Sequence, residues 1–323
     1  MRRTARVAVG VAIAIVMAAC APGSGSSGGG TPGSLQTVRI AVQPVAQNAP
    51  LYIALEKGYF RQEGLNVQLA VVQDAAAVVP SVLNGQLQIG EAALVPFIGA
   101  AAHGLPLLAI APGGNVEVSR DQDDSAILVN GNSPIARPRD LVGQTVAVNT
   151  LQAVLQLVTL ATVRKDGGDA AQVKFAVVPF PSMAGALQAN RVAAITTVEP
   201  FHTIAQKTGA RVIAHPYTDV LPSKSPIGVA FTSKQYATQH ADLLKKFVSA
   251  LKRATVLAQQ DPTQVRKVLK KYSQTKPEII DAMQLPYYDT SLTAPSLQST
   301  IDLMLQYRFL TRSVNPTTLI WQG

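Results

Sequence analysis

The residues of this chain best suited to chemistry are polar side chains that follow short apolar runs. Gln43, Gln47 and Asn48 come at and after the run 37–43 (TVRIAVQ) and offer amide donors and acceptors. Gly90, Glu91 and Ala92 come at the end of the run 87–90. Small residues there let a ligand approach the backbone. A carboxylate such as Glu91 disfavours an anion unless it is protonated or paired. It suits a cation or an N–H donor, or else it is solvated or paired at a hinge. Asn149, Thr150, Leu151 and Gln152 follow the run 145–149 (TVAVN), where Thr150 can cap a helix. Thr197, Glu199 and Phe201 follow the run 192–196, and Phe201 can stack on a ring or fill a core. Hydrogen bonding and stacking of this kind recognise a small molecule.

The groups that would transform one are harder to find. His103, His202, His215 and His240 show no metal-ligand spacing of the H-E-x-x-H kind. Cys20 is the only cysteine, so neither an intrachain disulfide nor a cysteine zinc cluster is available. No P-loop is present, and no G-x-S-x-G stands between an expected strand and helix. The sequence therefore calls for no catalytic residue, no metal and no cofactor.

The elements that must position the polar groups alternate. Strands are expected at 37–43, 65–72, 87–90 and 107–111, with helices at 49–58, 75–84 and 95–102 between them. Pro50 suits the first turn of the first helix and Gly58 its end. A second series follows, with strands at 126–130, 145–149, 172–178, 192–196 and 211–214 and helices at 151–165, 182–189 and 199–207. A strand at 227–232 reads as a return to the first series. Helices at 241–259, 262–272, 277–283 and 296–307 complete the chain. This alternation predicts an α/β fold with mostly parallel sheets covered by helices. The polar, Gly/Pro-rich stretches 113–124 and 219–226 are expected to cross between two lobes.

The N-terminal residues differ in kind. Arg2, Arg3 and Arg6 precede a short apolar run, 7–19, that ends Met17-Ala18-Ala19-Cys20. This is the layout of a secretory signal, too short to span a bilayer comfortably, which takes ~20 residues. A lone cysteine at the cut resembles the bacterial lipobox, where it is lipidated. Residues 21–36 are rich in Gly, Ser and Pro and read as a flexible tether. The net charge of +9 includes the three signal arginines. The remaining basic residues are scattered, apart from Lys245-Lys246 and Lys267–Lys271 on expected helices, so nucleic acid is not an expected partner. The 323 residues, 47% of them hydrophobic and 15% charged, exclude a disordered chain and suit one large domain or two medium ones.

Several segments carry a family resemblance: VRIAVQP (38–44), APLYIALEKGYFRQEGLNVQL (49–69), LNGQLQIG (83–90), SPIARPRDLVGQTVAVN (133–149), EPF (199–201) and PIGVAFTS (226–233). Together they resemble the ABC-importer solute-binding proteins for aliphatic sulfonates, taurine and nitrate, a family that extends to thiamine-pyrimidine synthases. The resemblance implies a two-lobed type II periplasmic binding protein fold with a hinge and a helical C-terminal tail. It implies a lipoprotein signal at 1–20, the tether at 21–36, one lobe from 37–116 and 223–323, and the other from 117–222. The implied protein is a monomer, lipid-anchored through Cys20 and facing the periplasm or exterior. It captures a small organic anion, sulfonate-like, and passes it to a permease. An aromatic carboxylate or a heterocyclic solute (pyrimidine or flavin) is the alternative within that role. An enzyme on the pyrimidine-synthase fold is the alternative outside it, although those enzymes resemble this fold with a cysteine-rich motif that this chain lacks. In such folds the polar groups named above gather at the carboxyl ends of the strands, where helix N-termini also help to hold anions.

Overall fold

The computed structural model describes residues 35–72 and 77–323. The expected signal, lipidated Cys20 and nearly all of the tether lie outside the described residues, as does the start of the helix expected from 75.

The first half is built on β1 (Gln36–Val42), α1 (Ala49–Glu56), α2 (Tyr59–Gln62), β2 (Leu65–Val71), α3 (Val78–Leu83), β3 (Ile89–Ala93), α4 (Leu94–Ala102) and β4 (Leu107–Pro112). Val38, Ile40 and Val42 make β1 a buried strand, flanked by parallel β2 and β3. Pro50 lies in the first turn of α1, where its missing N–H has no partner to lose. Gly58 follows in a left-handed conformation that a side chain would strain.

The second half holds β5 (Ser125–Asn130), β6 (Thr145–Val148), α5 (Val154–Lys165), β7 (Lys174–Val177), α6 (Phe180–Gln188), β8 (Ala194–Val198), α7 (Phe201–Lys207), β9 (Ala210–Ala214) and α8 (Pro216–Val220). The chain then returns as β10 (Gly228–Ser233) and ends in α9 (Lys234–Gln239), α10 (Ala241–Gln260), α11 (Pro262–Tyr272), α12 (Pro277–Ala282) and α13 (Ala294–Gln306).

Two five-stranded sheets result, ordered β2-β1-β3-β10-β4 and β7-β6-β8-β5-β9. Each is mostly parallel, as the alternation predicts, with one strand of the five reversed. β10 runs antiparallel to β3 and β4, and β5 antiparallel to β8 and β9. In each case the reversed strand is the one that enters its sheet from the other half of the chain, so the crossings impose the reversal.

The two crossings run side by side. The Gly113 N–H donates to the Gly228 carbonyl (2.8 Å), the Ile227 N–H to Gly114 (3.1 Å) and the Val116 N–H to Ser225 (2.9 Å). Buried Asn115 ties this ladder to the segment after α12. Its N–H donates to the Tyr287 carbonyl (3.0 Å), its side-chain amide to Lys224 (2.9 Å), and its side-chain oxygen accepts from the Asp289 N–H (3.2 Å). The C-terminal helices clamp the first sheet, with Phe247 of α10 stacked on Phe60 at 5.1 Å and Tyr272 of α11 on Tyr52 at 5.3 Å.

Candidate functional site

A cavity of about 690 Å³ lies between the two sheets, a size typical of sites for small organic molecules. The carboxyl ends of four strands feed it: Gln43 after β1, Glu91 to Ala93 in β3, Asn149 after β6 and Val198 of β8. One wall is a single face of α4, formed by Val95, Pro96, Gly99, Ala100 and His103. That spacing is one stripe of a helix. The facing wall is the turn 149–153 and the start of α5. Phe180 and Tyr217 add aromatic surface from the second half, and Met304 and Phe309 close the cavity from α13 and beyond.

Nine of the expected ligand residues line this cavity: Gln43, Gln47, Asn48, Glu91, Ala92, Asn149, Thr150, Leu151 and Gln152. Asn48 does not cap α1; its amide donates to the Gln43 carbonyl at 2.8 Å and fixes the loop. The Gln47 amide nitrogen donates to Asp124, joining the first half to the base of β5. Its Oε1 is buried and without a partner. Glu91 is 8% exposed, and burial pushes its carboxyl up to about 8. Thr150 does not cap α5, which begins at Val154 after extended Ala153. Residues 150–153 instead form a turn with Gln152 in a left-handed conformation (φ 54°), its N–H donating to Gln156 Oε1 at 2.7 Å.

The structure places four expected residues elsewhere. Gly90 faces the first core: a Cβ there would sit 2.6 Å from the Phe231 ring and 2.7 Å from Val78. Thr197 pairs with Ala126 inside the second sheet and is fully buried. Phe201 stacks behind cavity-lining Phe180 at 5.2 Å, so it supports the wall and does not form it. Glu199 is fully buried behind the cavity. Its carboxylate accepts from the Thr203 N–H (3.0 Å), the Thr203 hydroxyl (2.7 Å) and the Gln284 N–H (3.1 Å). Its carbonyl accepts from the Ala46 N–H at 3.3 Å. Burial raises this carboxyl to about 7 against those hydrogen bonds. Glu199 thus joins the halves from behind.

Residues 45–265 match the NMT1/THI5-like family. The chain belongs to that family. Among curated proteins, a 63-residue segment is 36% identical to the 4-amino-5-hydroxymethyl-2-methylpyrimidine phosphate synthase of Aspergillus parasiticus, spanning 20% of this chain and 18% of that enzyme. The chain therefore aligns with about a fifth of the length of these curated relatives. Among solved structures, this NMT1/THI5-like chain is similar to the alkanesulfonate-binding protein SsuA from Xanthomonas axonopodis pv. citri bound to MOPS. The TM-score is 0.74 at 19% identity, covering 89% of this chain and 98% of that one. It is also similar to the periplasmic nitrate-binding protein NrtA from Synechocystis PCC 6803, with a TM-score of 0.73 at 14% identity over 87% of this chain and 84% of that one. The family member thus has the α/β fold of periplasmic binding proteins.

The residues that sequence reasoning missed fall into two kinds. The α4 stripe was legible as spacing, since Val95, Gly99 and His103 recur every four residues. Phe180, Tyr217, Met304 and Phe309 carry no local signal; long-range packing alone brings them to the cavity.

Proposed function

We propose that this chain is the extracytoplasmic solute-binding component of an ABC importer, a monomer tethered by lipid at Cys20, that captures a small organic molecule between two lobes and presents it to the permease. The lobes are residues 37–116 with 223–323, and residues 117–222. The observation that carries this reading is the cavity itself: it lies between two sheets joined by a paired double crossing, the arrangement a hinge requires. The nine lining residues named above are the proposed ligand contacts.

Among the described lining residues there is no lysine or arginine, the walls are largely apolar, and the one carboxyl is buried. These features favour a solute with an aromatic or otherwise bulky apolar body over a small sulfonate or nitrate, whose full charge would be buried with no cation to offset it. The lining supplies hydrogen-bonding groups and surface, which suits a carrier and not a synthase. The distinguishing experiment is recovery of a bound solute after prolonged incubation. One equivalent returned chemically unchanged supports the carrier; conversion to product would replace it with an enzyme.

A further inference from the structure

Glu91 is unusual among the cavity residues because it is buried without compensation. It lies in β3, paired with Ala230 of β10. Its Oε2 packs against Gly113, where an added Cβ would stand 2.6 Å away. Among the described residues no lysine, arginine or histidine forms an ion pair with it. Beside it, Gln47 gives its amide nitrogen to Asp124 and leaves its buried oxygen free. Both side chains line the main cavity and a small annex shared with Tyr288 and Asp289. The other ionisable groups around Glu91 are Tyr52 on α1, Asp124 behind Gln47, and Tyr217 and His103 in the cavity lining. The lining therefore carries a buried carboxyl with no charge partner, one buried acceptor without a donor and, among the described residues, no permanent cation. Buried polar groups left unpaired are costly, and a ligand that satisfies them recovers that cost.

We propose that Glu91 selects the ligand, and that the ligand offers Glu91 and the free Gln47 oxygen a cationic group with several N–H donors, of amidinium or guanidinium type, on a largely apolar body. This rests on the carrier reading. A planar fork of N–H groups matches a carboxylate in two parallel charge-assisted hydrogen bonds. The apolar walls of α4, Phe180 and Met304 take the body.

The proposal has a proton signature. Without ligand, burial holds the Glu91 proton on up to about pH 8. A cation binds the ionised form, so binding below pH 8 releases that proton to the buffer. Affinity then rises about tenfold per pH unit from 6 towards 8 and levels off above, because the ionised fraction does the same. A neutral ligand that accepted from protonated Glu91 would instead bind almost independently of pH from 6 to 7 and lose affinity only as pH rises through about 8.

The test is titration calorimetry on the full-length protein with benzamidine, its neutral counterpart benzamide and its anionic counterpart benzoate, at pH 6, 7 and 8 in buffers of different ionisation enthalpy. The expected result is benzamidine bound at least tenfold tighter than either counterpart at pH 8, with proton release at pH 6 and 7. Glu91→Gln removes both the preference and the release, and a native-like unfolding profile for that variant excludes misfolding as the cause. Gln47→Leu, a second variant, lowers benzamidine affinity while leaving the proton release in place. Benzoate or benzamide binding as tightly as benzamidine, or Glu91→Gln leaving benzamidine affinity unmoved, overturns the proposal and leaves the carrier reading intact. Failure of all three probes overturns it as well; the carrier reading falls only if a broad solute panel also fails to bind.

Discussion

Replacing Glu199 with alanine separates support from recognition. The side chain accepts three hydrogen bonds, two of them from the backbone N–H groups of Thr203 and Gln284. In the variant the Thr203 N–H stays buried with no acceptor, whereas the part-buried N–H of exposed Gln284 can turn to water. The first loss costs about 1–3 kcal/mol and the second about 0.5–1.5 kcal/mol, so the total is roughly 1.5–4.5 kcal/mol. Removing a carboxyl that burial raises from about 4.5 to about 7 offsets part of this progressively as pH rises through that range, so the measurement belongs near pH 4.5, where the offset is smallest. For a domain of this size each kcal/mol moves the midpoint by about 2–4 °C, so thermal unfolding near pH 4.5 is expected to shift down by roughly 5–15 °C. Affinity for any solute identified is expected to stay within about twofold, since Glu199 does not line the cavity. The assay is thermal unfolding by circular dichroism paired with calorimetric titration of the same preparations. An unchanged midpoint together with a tenfold loss of affinity would refute the reasoning and put Glu199 in contact with ligand.

Three other perturbations follow from the structure. Glu91 is raised from the ordinary carboxylate range to about 8 in the folded protein, so the fold holds a proton that the unfolded chain releases, and wild-type stability falls as pH rises from about 4.5 to 8. The Glu91 share is on the order of 4 kcal/mol, and denaturant titrations should find Glu91→Gln close to wild type at pH 4.5 and increasingly more stable than it towards pH 8; a gap that shrinks with pH would contradict this. Asn115→Ala keeps the backbone bond to Tyr287 but leaves the Lys224 carbonyl and the Asp289 N–H short of partners, and is expected to cost about 1–3 kcal/mol in urea unfolding; a loss below about 0.5 kcal/mol would show that the crossings hold without it. Gly99→Phe meets no atom within 4 Å at its new Cβ and points from α4 into the cavity, so solute affinity should drop at least tenfold with the midpoint changed by no more than about 2 °C; retained affinity would place the solute elsewhere.

Much of this fold is legible in the sequence because its punctuation is local. Runs such as TVRIAVQ and TVAVN are rich in β-branched residues and bounded by breakers, and they form β1 and β6 close to the expected bounds. The departures have physical causes. Gly90 reads as the end of a strand, yet β3 continues to Ala93, because Gly90 is small to make room for Phe231 and Val78 and not to turn the chain. That places Glu91 within the strand, which explains its burial. Thr150 reads as a helix cap, but the turn at Gln152 delays α5 to Val154. The Glu199-Pro200-Phe201 loop has the composition of a binding loop and the position of one, at the end of β8. Only the three-dimensional structure reveals that Thr203 and Gln284 already occupy its carboxylate. Met304 and Phe309 lie more than 200 residues from the first strand-end loop, and no local pattern connects them to it.

The central claim is that the space between the two sheets takes a solute. It is tested most directly by thermal unfolding of the full-length protein, shown to be folded and ligand-free, against alkanesulfonates, taurine, nitrate, aromatic carboxylates, pyrimidines, flavins and aromatic amidines. A ligand at a hundredfold its dissociation constant adds about 2.7 kcal/mol, which raises the midpoint by roughly 5–10 °C. The account predicts such a shift for one class with a bulky apolar body, and its disappearance in Gly99→Phe. A shift that survives Gly99→Phe unchanged, or no shift across the panel, would contradict it.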